Sequence, residues 1–146
     1  MLSDDYLDHR AHAERAALWQ ARFAEKNKVP FFAILAEIEN HLAGFACTFP
    51  NEHPTYGSFL DNLHVTPNHI GQGIGRQLLR ETARRLLTDR VNGGLYLWVI
   101  EQNARARRFY AKAGAAEVER AQLTMADGSP IFELRCHWPT PATLLD

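Results

Sequence analysis

Gly71, Gly73 and Gly75 alternate directly before a strongly amphipathic segment, and no other stretch of the chain has residue types and spacing so suited to ligand chemistry. Glycine lets a backbone approach a ligand closely and turn its amides toward one point. The first amides of a following helix have no partner inside that helix and carry the positive end of its dipole. A phosphate group is the natural occupant of such a loop. Two familiar phosphate loops fail on spacing. The dinucleotide fingerprint Gly-x-Gly-x-x-Gly needs a glycine at 76 or 78, where Arg76 and Leu78 stand. The nucleoside-triphosphate loop needs Lys and then Ser or Thr after its last glycine, whereas Arg76 and Gln77 follow Gly75.

Such a loop must be held between a strand and a helix, and the flanking residues supply both. Tyr56 to Val65 reads as a strand carrying Phe59, Leu60, Leu63 and Val65, followed by a turn at Pro67 and Asn68. Beyond the glycines, Ile74, Leu78, Leu79, Ala83, Leu86 and Leu87 recur at helical spacing, and Asn92-Gly93-Gly94 stops the helix. Leu95 to Ile100 is a continuous apolar run typical of a buried strand, so strand, helix and strand imply a parallel crossover. Asn103 caps a helix carrying Phe109 and Tyr110, which Gly114 ends.

The rest of the chain is read in the same way. Helices are expected at residues 3–9 and 11–25, the first capped by Ser3 and the second closed by Lys26-Asn27-Lys28 and Pro30. Phe31 to Ile38 and Leu42 to Phe49 form a hairpin around Glu39-Asn40-His41. Pro50 to Pro54 reads as a loop that cannot continue a central strand. Glu117 to Met125 and Ile131 to Trp138 are strands joined by Asp127-Gly128-Ser129-Pro130. Residues 139–146 are expected to be an extended, flexible tail.

Composition narrows the class. A chain of 146 residues with 46% hydrophobic and 23% charged content is expected to form one domain with a substantial core. The formal net charge of -1 gives no electrostatic case for nucleic acid or an anionic membrane as partner. The 2 cysteines, Cys47 and Cys136, cannot build a disulfide framework or a metal cluster, and they read as core thiols of a cytoplasmic protein that uses no metal. No apolar run approaches the roughly 20 residues that span a bilayer, and the acidic N-terminus is no secretory signal.

The glycine loop resembles the pyrophosphate loop Gln/Arg-x-x-Gly-x-Gly/Ala of the GNAT superfamily of N-acetyltransferases. Gly73 and Gly75 fall on its glycines, Gly71 on a common extra one, and Ile70 stands where the family has Gln or Arg. A second motif is similar to the family's Asn-x-x-Ala-x-x-Phe-Tyr-x-x-x-Gly, here Asn103, Ala106, Phe109, Tyr110 and Gly114 after the strand Leu97-Trp98-Val99. The resemblance implies an α/β (α+β) fold. Its mixed, mostly antiparallel sheet of about six strands has a central parallel pair that splays apart, with about four helices flanking it. The family also has a further strand ahead of the region matching Ser3, so the resemblance implies an N-terminal truncation or variant.

The same resemblance makes acetyl-CoA the donor and a primary amine the acceptor. The amides of Gly71, Gln72, Gly73, Ile74, Gly75 and Arg76 would take the pyrophosphate. Leu63, His64 and Val65 would border the pantetheine arm as a substitute strand partner. Asn103 and Tyr110, seven residues apart, share a helix face that should look into the splay. Tyr110, with an ordinary pKa near ~10, suits proton donation to the leaving sulfur. Asp61 resembles a carboxylate of the polyamine and small-amine branch and is a candidate base, beside His64 and water. Alternation sets His64 on the face opposite Asp61 and Leu63 unless a bulge intervenes. His53, Tyr56 and Trp138 are candidates to line the acceptor pocket. No Cys or Ser is poised for a covalent step, so direct attack in a ternary complex is expected. The alternative of a different class is a non-catalytic acyl-CoA-binding module. Pairing of two copies through an edge strand or the C-terminal hairpin suits such a sheet.

Overall fold

Residues 30–146 are described by the computed structural model; the helices expected at residues 3–9 and 11–25 and the question of a preceding strand lie outside the described residues. The described elements are β1 (Phe32–Ile38), β2 (His41–His53), β3 (Gly57–Val65), α1 (Ile74–Thr88), β4 (Leu95–Ile100), α2 (Ala104–Lys112), β5 (Ala116–Thr124) and β6 (Pro130–Trp138). The strands form one six-stranded sheet in the order β1-β2-β3-β4-β6-β5, antiparallel except between β3 and β4. This is the mixed sheet expected. Two of the four expected helices, α1 and α2, fall among the described residues.

Each element follows from local chemistry. The β1–β2 turn places Glu39 and Asn40 at φ 53 and 67, the left-handed pair that a two-residue hairpin requires. Strand β4 has the boundaries its apolar run predicts, because Leu95, Leu97 and Val99 are buried on one face while Tyr96 packs on the other. Helix α1 buries Ile74, Leu78, Leu79, Ala83 and Leu86 against the sheet. Each fully buried leucine contributes about 1.5–3 kcal/mol of transfer free energy. Cys47 and Cys136 are both buried, as expected.

Two expectations change. Strand β2 runs through Pro50 to His53 instead of ending in a loop. The β1 ladder stops at Phe32 opposite Thr48, so Pro50 lies past it and its missing donor costs nothing. A bulge follows: Asn51 adopts φ 54 and its N–H donates to Ser58 Oγ at 3.2 Å. The C-terminus does not extend as a tail. Pro141–Leu145 turns as a 3-10 helix, Thr140 Oγ1 accepting from the Ala142 N–H at 3.3 Å. Leu144 is fully buried in the core beneath α1. The apolar Leu144 outweighs the extending preference of the prolines flanking Thr140.

The parallel pair is pinned at one end and open at the other. A Cβ on Gly57 would lie 2.2 Å from the Gly94 carbonyl oxygen, so only glycine allows this approach; beside it the Ser58 N–H donates to that oxygen at 2.9 Å. Pairing covers Ser58 with Leu95 and Phe59 with Tyr96, then ends although both strands continue. From Leu60 and Leu97 onward the strands diverge, which is the splay the resemblance implied.

Candidate functional site

The N-terminus of α1 is built as an anion cradle. Gly73 caps it at φ 82, ψ 6 with no side-chain hydrogen bond, and Gly71 stands at φ 88. A Cβ on either residue would meet nothing within 4 Å, so the loop faces open space. The Gln77 N–H, donating to the Gly73 carbonyl at 3.1 Å, makes the first bond of the helix. Among the described residues no backbone acceptor engages the amides of residues 71–76. Gly75 has a packing task besides the one its spacing suggested. A Cβ there would come 3.2 Å from Phe109 Cζ, so the absent side chain lets α1 pack against α2. Ile74 offers only its amide, because its side chain is buried in the core, whereas Arg76 is half-buried and Gln72 exposed.

Across the splay, β3 keeps its ladder to β2 over Gly44–Val65, Phe45–His64, Ala46–Leu63 and Cys47–Asn62, while its edge toward β4 has no ladder past Phe59. Leu63 and Val65 pack on the core side, and Val65 Cγ2 approaches Gly75. A bulge at Asp61 intervenes, since Thr48 pairs with Leu60 and Cys47 with Asn62. It interrupts the alternation at Asp61, the exception the sequence allowed for, while His64 keeps to the face opposite Leu63. Asn62 and His64 both stand on the face away from α1, the His64 ring 5.6 Å from Phe45. Asp61 Oδ2 accepts from Asn62 Nδ2 at 3.1 Å. Asn62 is 2% exposed, and among the described residues its Oδ1 has no hydrogen-bond partner.

Helix α2 carries Tyr110. Asn103 Oδ1 accepts from the Ala106 N–H at 3.1 Å, so this asparagine is an N-cap. At the other end the Trp138 indole donates to the Ala113 carbonyl at 3.1 Å. The half-buried Tyr110 ring sits edge-on to Trp138 at 6.2 Å and to Phe109 at 5.2 Å. Trp138 is fully buried on the core face, so it positions α2 and does not line an acceptor pocket. His53 and Tyr56, by contrast, lie on the opposite face, their rings 4.9 Å apart.

That opposite face carries a polar cluster which sequence reading missed. Tyr96 stacks on Phe59 at 5.1 Å and its hydroxyl donates to Glu52. Burial, reinforced by Glu52, pushes the Tyr96 phenol well above its ordinary value. Arg135 is 8% exposed, with its guanidinium carbon 4.3, 4.8 and 4.4 Å from the rings of Tyr56, Tyr96 and Trp98. Burial raises the Glu133 carboxyl, against the pull of Arg135, and a carboxyl held nearer neutrality accepts protons more readily at working pH. Burial and the charge of Arg135 lower His137. The alternation of Glu133, Arg135 and His137 along β6 was the signal available. It went unread because it lay outside both motifs.

Comparison with known proteins places this geometry. The Acetyltransferase (GNAT) family profile matches residues 1–115, and the chain belongs to that family. Acetyl transfer is thus its class of activity. An uncharacterized N-acetyltransferase of Mycobacterium tuberculosis is 34% identical over 110 residues, which cover 73% of this chain and 67% of that protein. Among solved structures, a GNAT-family protein of Desulfovibrio desulfuricans superposes with TM-score 0.71 at 22% identity, over 94% of each chain. A Bacillus anthracis protein named as a streptothricin acetyltransferase, in complex with acetyl coenzyme A, gives TM-score 0.68 at 18% identity over 77% of this chain and 64% of that one. At these identities the structural likenesses show the fold. Among the described residues no helix is long and apolar enough to cross a membrane, and no cluster of His, Cys, Asp or Glu could hold a metal ion.

Proposed function

We propose that the chain transfers an acetyl group from acetyl-CoA to a primary amine of a small molecule or protein, by direct attack in a ternary complex. The observation that carries this reading is the pairing of an unengaged amide cradle at α1 with the open edge of β3, both bordering one splay. The cradle fits a diphosphate: among the described residues no backbone acceptor engages amides 71–76, and a Cβ on Gly71 or Gly73 would meet nothing within 4 Å. Residues 1–146 are taken as one acetyltransferase domain, of which the family match covers residues 1–115.

When bound, acetyl-CoA supplies an activated thioester. The protein's own part is binding and proton traffic. Amides 71–76 hold the diphosphate, and the main chain of Leu63 and Val65 orders the arm leading into the splay. Tyr110 Oη donates a proton to the leaving sulfur. An ammonium cannot attack, because its lone pair is occupied, so a base must first deprotonate it. Asp61, His64 or a water serves that step, while Asn103 caps α2. The test is thiol release from acetyl-CoA across a panel of primary amines. Amine-dependent release supports transfer, whereas tight acetyl-CoA binding with no release for any amine would turn the assignment to a non-catalytic acyl-CoA-binding module.

A further inference from the structure

We propose that Arg135 is the acceptor's carboxylate anchor, so that the amine acetylated by this chain belongs to an amino acid or an amino-acid-like compound with a free carboxylate. This inference rests on the acetyltransfer reading above and adds the acceptor's chemical class.

Three observations carry it. The first is an unmet demand. Arg135 is 8% exposed, yet among the described residues its Nε and Nη1 have no hydrogen-bond partner. The nearest carboxylate oxygen, Glu119 Oε1, lies 3.6 Å from Nε, an ion pair beyond hydrogen-bonding distance. A guanidinium cannot lose its charge to relieve this, so buried donors call for an acceptor. The second is shape. Tyr56, Tyr96 and Trp98 stack around the guanidinium and leave its edges for recognition. An arginine edge matches a planar, bidentate carboxylate.

The third is location. Trp98 pairs directly with Arg135 across the β4–β6 ladder and belongs to the part of β4 that has left β3. Arg135 therefore lies about one strand spacing, roughly 5 Å, from the open gap. It stands on the face opposite α1, whereas the amide cradle lies at the α1 end. An acceptor held there meets the thioester from the side that the coenzyme leaves free. Glu133 follows two residues away on the same face, about 7 Å along the strand. One cation and one carboxylate at that separation match the two ends of a zwitterion.

The experiment titrates the protein saturated with CoA with each of the twenty protein amino acids and, separately, with its α-amide. The amide keeps the amine and side chain and removes only the anion. Calorimetry should find at least one acid binding at least tenfold more tightly than its amide, and Arg135→Gln should reduce that ratio to within twofold. CoA affinity should stay unchanged in the variant, and Arg135→Lys should retain an intermediate preference. Equal affinity for acid and amide in the wild type, no binding of any amino acid, or selectivity that survives Arg135→Gln overturns the inference. The wild-type ratio decides the matter if the variant fails to fold. Failure of the acetyltransfer reading would show separately, as absent CoA binding or absent thiol release with any amine.

Discussion

Replacing Gly73 with alanine separates the cost of a strained backbone from the cost of a blocked ligand site. Gly73 caps α1 at φ 82, ψ 6, a conformation in which an L-residue loses about 1–2 kcal/mol. Alanine regains part of that loss by restricting the unfolded chain, so the net destabilisation should be about 1 kcal/mol, a fall in Tm of roughly 3–5 °C. No steric cost adds to it, because the new methyl meets nothing within 4 Å. The same open space is where the diphosphate belongs. A methyl there displaces at least one charge-assisted hydrogen bond, worth about 1.5–3 kcal/mol, so CoA affinity should fall on the order of 10- to 100-fold. Gly75→Ala is the control, since its methyl would press on Phe109 Cζ at 3.2 Å while gaining helix propensity of roughly 1 kcal/mol. It should change CoA affinity far less. Calorimetric titration with CoA, alongside thermal unfolding, reads both quantities. A Gly73→Ala protein that loses the expected stability yet binds CoA like the wild type would refute the placement of the diphosphate.

Further outcomes follow from the same structure. Tyr110→Phe keeps the ring against Trp138 and removes only the hydroxyl; thiol-release assays should show kcat lower by about 10²–10⁴ with acetyl-CoA affinity nearly unchanged. Leu144→Ala empties a fully buried site beneath α1 and should cost about 2–5 kcal/mol in urea unfolding, where an unstructured tail would lose nothing. Burial pushes the Cys136 thiol from 9.0 up to about 11. Its folded value is thus raised, so its contribution to stability is complete below pH 9.0 and is lost as pH rises through about 11. Iodoacetamide at pH 8 should leave Cys136 unmodified in the native protein and alkylate it in urea.

Much of the fold could be read because local signals agreed. The run Leu95 to Ile100 and the period of α1 gave the crossover, and the two glycine-bearing motifs fixed what lay on either side of it. What could not be read depended on contacts distant in sequence. Whether Pro50 breaks a strand depends on where β1 stops, which no residue near Pro50 reveals. The facing of Asp61 turns on one bulge, set by the register against Thr48 and Cys47. The same holds for Gly75: its role is defined by Phe109 from another helix. Nothing beside Arg135 in the sequence marks it, because the three rings around it come from β4 and from the segment before β3.

The most direct test of the central claim is a titration of ¹⁵N-labelled protein with acetyl-CoA, followed through its backbone amide resonances. The account predicts that the largest shifts fall on residues 71–76, with a second set on residues 63–65 along the open edge of β3. Shifts concentrated elsewhere, with the amides before and within the first turn of α1 unmoved at saturation, would contradict it.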